Sequence, residues 1–204
     1  EVIARIVSDW TGIPIGKMVS DQAASLLKFE EELGRRIKGQ DHALGIVGTG
    51  IRSAKAGLKN PEAPMGIFLF VGPSGVGKTE TALGVADLMF GGERFMTTIN
   101  MSEFMEKHSI SRLIGSPPGY VGNDVEPMLS QENLDRHHKE AQAEGRGIFA
   151  EGEGKIAKLF PQVKSHYMSI VLFDEVEKAH PKVWNALLGL MEDGHLTLGN
   201  NKTV

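Results

Sequence analysis

Residues 72–79 read Gly72-Pro73-Ser74-Gly75-Val76-Gly77-Lys78-Thr79, and this stretch decides the fold. Gly72, Gly75 and Gly77 permit a tight turn in which successive backbone N–H groups converge on an anion. A helix beginning at Lys78 adds the positive end of its dipole to the same point. The Lys78 ammonium would neutralise the β- and γ-phosphates of ATP, and the Thr79 hydroxyl would coordinate Mg²⁺. Pro73, Ser74, Gly75, Val76, Gly77, Lys78, Thr79 and Glu80 are therefore the candidate nucleotide-binding residues. A fortuitous glycine turn is the alternative, and the context argues against it. Ile67-Phe68-Leu69-Phe70-Val71 before the loop reads as a strand buried on both faces. Lys78 to Phe90 after it reads as a helix with Ala82, Val85, Ala86 and Met89 on one side.

Working outward, Phe95 to Met101 predicts a second strand, Glu103 to Leu113 a short helix, and Ile170 to Phe173 a third buried strand. Strand and helix in alternation predict an α/β fold with a parallel sheet flanked by helices. That strand runs into Asp174-Glu175. A carboxylate at the C-terminal end of a parallel strand faces the crevice where such sheets bind ligands. Asp174 would then hold Mg²⁺, largely through water, and Glu175 would be the general base that activates water, with Lys78 as its catalytic partner. Alone, an apolar strand ending in Asp-Glu reads as an exposed turn. Following a phosphate loop about a hundred residues upstream, the functional reading prevails.

On the N-terminal side, residues 1–60 read as connector and helices. A Trp10-Thr11-Gly12-Ile13-Pro14 turn is followed by a helix from about Ser20 to Arg36, striped by Ala23, Leu26, Leu27, Leu33 and Ile37. Lys38-Gly39-Gln40 interrupts it, and Leu44, Val47, Ile51 and Ala54 carry a second helical stripe. Gly57 to Gly66 is a loop. Residues 61–204 form the core, with an insertion at about 123–168. Pro127 to Glu144 predicts a polar helix within that insertion, which reads as exposed. The His137-His138 pair there suggests metal at first sight. Adjacent helical residues point in different directions, so a solvated face is expected instead.

Composition excludes several chemistries. The 204 residues include no cysteine, so disulfides, thiolate catalysis and cysteine-ligated metals are ruled out. The net charge of −4 and the lack of a basic stripe argue against nucleic acid as the main partner. The apolar runs are too short to span a bilayer, and a cytoplasmic setting is expected.

Together with these two signatures, Trp10-Thr11-Gly12-Ile13-Pro14, Gly39-Gln40, Met101-Ser102-Glu103-Phe104, Pro117-Pro118-Gly119-Tyr120-Val121-Gly122 and Glu177-Lys178-Ala179-His180-Pro181 closely resemble the Clp class of AAA+ unfoldases. The match is to the second nucleotide-binding domain of the two-ring members. The resemblance implies a P-loop ATPase of the AAA+ type that assembles into a hexamer and threads unfolded or assembled protein substrates through an axial pore. Tyr120, with Val121 in the same Gly-Tyr-Val-Gly loop, would line that pore. Ile13, Pro14, Ile37, Lys38 and Gln40 would border the adenine, with Lys38 standing where the class usually has an apolar residue.

The resemblance also implies that Val204 precedes the sensor strand, the arginine finger and the C-terminal subdomain. The sheet is therefore expected to be incomplete at the C-terminus, and the chain to be a portion of something longer. Gly16-Lys17-Met18-Val19, Gly39 to Leu44, Thr79 to Leu83 and Thr98 to Met101 look most like ClpV, which recycles the sheath of type VI secretion. ClpB disaggregases are the runner-up, and protease-coupled ClpA and ClpC a further alternative. From other classes, an ATP-binding scaffold without turnover and a DNA-acting AAA+ enzyme are the competing functions.

Overall fold

The computed structural model describes residues 23–58, 63–120, 125–144, 147–148 and 168–204. The first helix, α1 (Phe29–Arg36), carries Glu30, Glu31 and Glu32 in its first turn and Arg35 and Arg36 in its last, the arrangement the helix dipole favours. A short helical turn at 23–27 precedes it, broken at Lys28. That break shifts the helical phase, so the buried stripe is Leu26, Phe29, Leu33 and Ile37, while Leu27 is 75% exposed. The expected stripe was wrong at Ala23 and Leu27 and lacked Phe29. Gly39, at φ +72, turns the chain into α2 (Asp41–Lys55), which buries Leu44, Val47 and Ile51.

Next comes α3 (Lys78–Phe90), bounded by left-handed glycines at both ends, Gly77 and Gly91. These caps explain why the helix starts and stops where the sequence predicts. Two short strands follow, β1 (Thr97–Asn100) and β2 (Val171–Asp174), paired in parallel with Thr97 opposite Val171 and Asn100 opposite Asp174. Between β1 and β2 lie 3-10 turns at Met101–Phe104 and Lys107–Ser109, then α4 (Ile110–Ile114) and α5 (Gln131–Glu144). After β2, the 3-10 turn Val176–Lys178 leads into α6 (Pro181–Asp193). Pro181 at its first turn and the His180 side chain, which accepts from Lys182 N, start that helix.

Among the described residues two apolar cores result. One joins α1, α2 and α3 through Phe29, Leu33, Ile37, Leu44, Val47, Ile51, Met89 and Phe90. The other surrounds the end of β1 and includes Ile99, Met101, Phe104, Leu113, Leu129, Val183 and Leu187. β2 is half-buried at all four positions, which corrects the expected fully buried third strand.

Ile67 to Val71 requires a larger correction. It forms no strand, and Ile67, Leu69 and Val71 are 54%, 73% and 85% exposed. Phe68 and Phe70, on the alternate side, pack against the helical core. A run of apolar residues becomes a strand only when a neighbour takes up its N–H and C=O groups. Among the described residues none does, since β2 pairs with β1 alone.

The expectation of an exposed insertion also fails for α5. It buries Asp135, His138 and Ala141, with His138 at 1% exposure. The His138 ring meets Phe90 edge-on at 5.5 Å between centroids, and Nδ1 lies 2.9 Å from both N and O of Met168. Ser169 Oγ donates to Leu134 O, and Ile148 N donates to Leu88 O in α3. Helix α5 is thus fastened to the end of α3 and to the approach to β2. His138 is neither solvated nor part of a metal cluster, since no such cluster occurs among the described residues. No described helix is long and apolar enough to cross a membrane.

Candidate functional site

The loop from Gly72 to Gly77 owes its shape to two backbone positions. Gly75 and Gly77 have φ of +81° and +95°, in the left-handed region that L side chains rarely adopt. A Cβ added at either would meet nothing within 4 Å, so conformation rather than space requires glycine there. Gly77 is the N-cap of α3, and Thr81 N and Thr81 Oγ1 both donate to its carbonyl at 2.8 Å. The first backbone N–H groups of α3 therefore open onto the loop, where they can receive an anion.

Lys78 folds back over the loop it ends. Its ammonium donates to Gly72 O at 2.9 Å and to Pro73 O at 2.8 Å, which sets the cation inside the ring of backbone dipoles. Thr79 Oγ1 donates to Asp174 Oδ2 at 3.5 Å, bridging the start of α3 and the end of β2. These residues are 95 positions apart in sequence and lie together in the structure. A hydroxyl and a carboxylate oxygen are hard donors of the kind Mg²⁺ prefers. Their separation is slightly above the ~3 Å expected of two neighbouring ligands in an octahedron of ~2.1 Å bonds. A hydroxyl and a carboxylate at this spacing are donors that would suit Mg²⁺.

Glu175 follows Asp174 in an unusual conformation. Its backbone is left-handed at φ +54°, and its N–H donates to Asp174 Oδ1 at 3.0 Å. The carboxylate accepts from Lys178 Nζ at 2.8 Å, across the 3-10 turn that Glu175 caps. The hydrogen bond to Glu175 raises the Lys178 pKa above its ordinary value.

The expected adenine border divides. Ile13 and Pro14 lie outside the described residues. Ile37 is 4% exposed and belongs to the helical core, in contact range of a Cβ at Gly84, so it presents no open wall. Its place in the α1 stripe explains the difference, because the apolar side turns toward α3. Lys38 Nζ donates to Gly34 O at 2.8 Å and caps the end of α1. Gln40 Nε2 donates to Val76 O at 3.0 Å, joining the segment between α1 and α2 to the phosphate loop.

Glu80 does not face the loop freely, because Arg36 Nε donates to its Oε1 at 2.5 Å. Arg36 and Lys178 went unread in the sequence. Lys178, three residues after Glu175, was within reach of a turn-spacing argument, whereas Arg36 lies 44 positions from its partner with no local signal. Tyr120 closes a turn in which its N–H donates to Pro117 O at 3.2 Å, following Gly119 at φ +87°. Tyr120 is 71% exposed. Val121 lies outside the described residues.

The family model described as AAA domain (Cdc48 subfamily) matches residues 63–141 and 141–204. The two stretches meet inside α5. Chaperone protein ClpB of Rhodopseudomonas palustris is 45% identical over 99% of this chain and 20% of its own length. ClpB of Meiothermus ruber is also 45% identical, over 100% of this chain and 20% of its own length. The ATP-dependent Clp protease ATP-binding subunit ClpC of Staphylococcus epidermidis is 41% identical over 100% of this chain and 21% of its own length. The chain spans about a fifth of the length of these curated relatives.

Proposed function

Since this chain belongs to the AAA domain family, Cdc48 subfamily, as a Clp-type domain, we propose that it is the ATP-hydrolysing module of a protein-remodelling motor. The observation that carries the proposal is the Thr79–Asp174 contact at 3.5 Å, which joins the phosphate loop to an acidic strand end. In this reading, loop N–H groups and Lys78 hold the β- and γ-phosphate oxygens of ATP. Thr79 and Asp174 would hold Mg²⁺, which would neutralise charge on those oxygens. Glu175 takes a proton from a water whose oxygen attacks the γ-phosphorus. The bond from that phosphorus to the bridging oxygen breaks, leaving ADP and inorganic phosphate. Gln40, reaching Val76 O, supports the loop from the base side.

Hydrolysis drives a mechanical step in this reading. Tyr120, exposed beside a left-handed glycine, is suited to grip polypeptide without regard to sequence, in a cytoplasmic hexamer acting on unfolded or assembled protein. The sheath-recycling role of ClpV is the finer reading, favoured by the four segments beginning at Gly16, Gly39, Thr79 and Thr98. Disassembly of contracted sheaths against refolding of heat-aggregated protein separates it from the disaggregase role. A scaffold without turnover is disfavoured by the presence of Glu175. In the full-length protein, Lys78→Ala is expected to abolish ATP binding and hydrolysis, and retained turnover in that variant would sink the proposal.

A further inference from the structure

Arg36, the last residue of α1, faces three carboxylates. Its Nε lies 2.5 Å from Glu80 Oε1, its NH1 lies 3.8 Å from Asp87 Oδ2, and its NH2 is hydrogen-bonded to Glu93. The side chain is 32% exposed and its partners about half exposed, so these pairs contribute little to stability. The placement of Glu80 gives the cluster another consequence. Glu80 stands in the first turn of α3, directly after Lys78 and Thr79. A carboxylate there competes with a phosphate for the positive potential of the same helix end. Arg36 discharges it and draws it toward α1. Four residues on, Gln40 Nε2 donates to Val76 O, so the strap from Arg36 to Gln40 is tied both to the phosphate loop and to its helix.

We propose that Arg36 is a positioning residue for nucleotide binding, which neutralises Glu80 beside the phosphate site and fixes the strap between α1 and α2 against α3. The inference rests on the nucleotide-binding reading of the loop. Arg36 touches no phosphate in this scheme and acts through Glu80.

Calorimetric titration of the full-length protein with Mg²⁺–ADP tests it. Binding by the parent and its loss in Lys78→Ala establish the reading on which the inference rests, and failure there sinks that reading rather than this one. Given that baseline, Arg36→Ala is expected to raise Kd roughly fivefold at an unchanged melting temperature. Adding Glu80→Gln to Arg36→Ala recovers most of the loss, whereas adding Asp87→Asn, farther along the helix, recovers little. An unchanged Kd in Arg36→Ala, or equal recovery by both second substitutions, overturns the proposal. Arg36→Lys, which keeps the charge, covers the case in which the alanine variant does not fold. Its Kd is expected within about twofold of the parent, and a loss as large as fivefold overturns the charge argument.

Discussion

Lys178 Nζ lies 2.8 Å from Glu175 Oε2, so the proposed base is held by an ammonium one turn further along the chain. The pairing raises the Lys178 pKa, and a raised lysine pKa gives a contribution present below its ordinary value of 10.5 and lost only as pH rises beyond it. The Lys178 ammonium is therefore charged throughout the neutral range. Glu175→Gln keeps the side-chain shape and removes the base. It is expected to bind ATP as the parent does and to lose hydrolysis by about 10²- to 10⁴-fold. Single-turnover assays with radiolabelled ATP read both quantities, and undiminished turnover refutes the assignment of Glu175.

Tyr120 is exposed on a turn that follows Gly119 and makes no contribution to either apolar core. Tyr120→Ala is expected to leave ATPase activity within about twofold of the parent and the melting temperature unchanged, because exposed substitutions seldom move stability. Unfolding of a fluorescent-protein substrate is expected to stop. Continued substrate unfolding at the parental rate would remove Tyr120 from the pore assignment.

His137 predicts a pH dependence. Burial lowers its pKa below the ordinary 6.5, Arg136 lowers it further, and Glu140 opposes them in part. Its Nδ1 is buried without a hydrogen bond and sits 3.7 Å from Glu140 Oε2. Below pH 6.5 the unfolded chain takes up this proton more readily than the folded one, so stability contributed above that pH is lost as it falls. The melting temperature should drop between about pH 7.5 and about pH 5.5, and His137→Gln should drop less over the same range. Identical pH profiles for parent and variant would show that His137 is not buried neutral.

Gly147 predicts how the insertion is docked. At φ +82° it lies against the backbone at the end of α3, where an added Cβ would collide with Phe90, Gly91 and Met89. Gly147→Ala is expected to cost about 1–3 kcal/mol, through the strained backbone and the displaced contact. Hydrogen exchange should show faster exchange at Ile148 N–H, which donates to Leu88 O, while β1 and β2 keep their protection. Unchanged exchange at Ile148 would contradict this docking.

The site was more legible in the sequence than the sheet. Gly75, Gly77, Lys78 and Thr79 carry a local motif whose chemistry is set by neighbours in the chain, and Asp174 announces itself as the polar end of an apolar run. Helix α3 begins and ends where its glycines require. Ile67 to Val71 was misread because burial on two faces is a property of neighbouring strands, which an apolar run cannot report about itself. His138 was misread because the choice between metal and solvent left out a third environment, in which a buried imidazole bonds to the Met168 backbone. Leu27 went astray through one turn at Lys28, and Arg36 because its partners lie in a different helix and the loop after it.

The left-handed backbone of Glu175 has a consequence for how this chain can change over generations. A residue other than glycine or asparagine at that φ costs about 1–2 kcal/mol of local strain. Glu175→Gly would relax that strain, at the cost of greater unfolded-state entropy and the Lys178 pairing. It is expected, on the proposed base assignment, to lose hydrolysis as Glu175→Gln does. On the proposed reading of Glu175 as the base, turnover is what offsets this strain, and a lineage freed from that demand is expected to lose Glu175 before the phosphate loop.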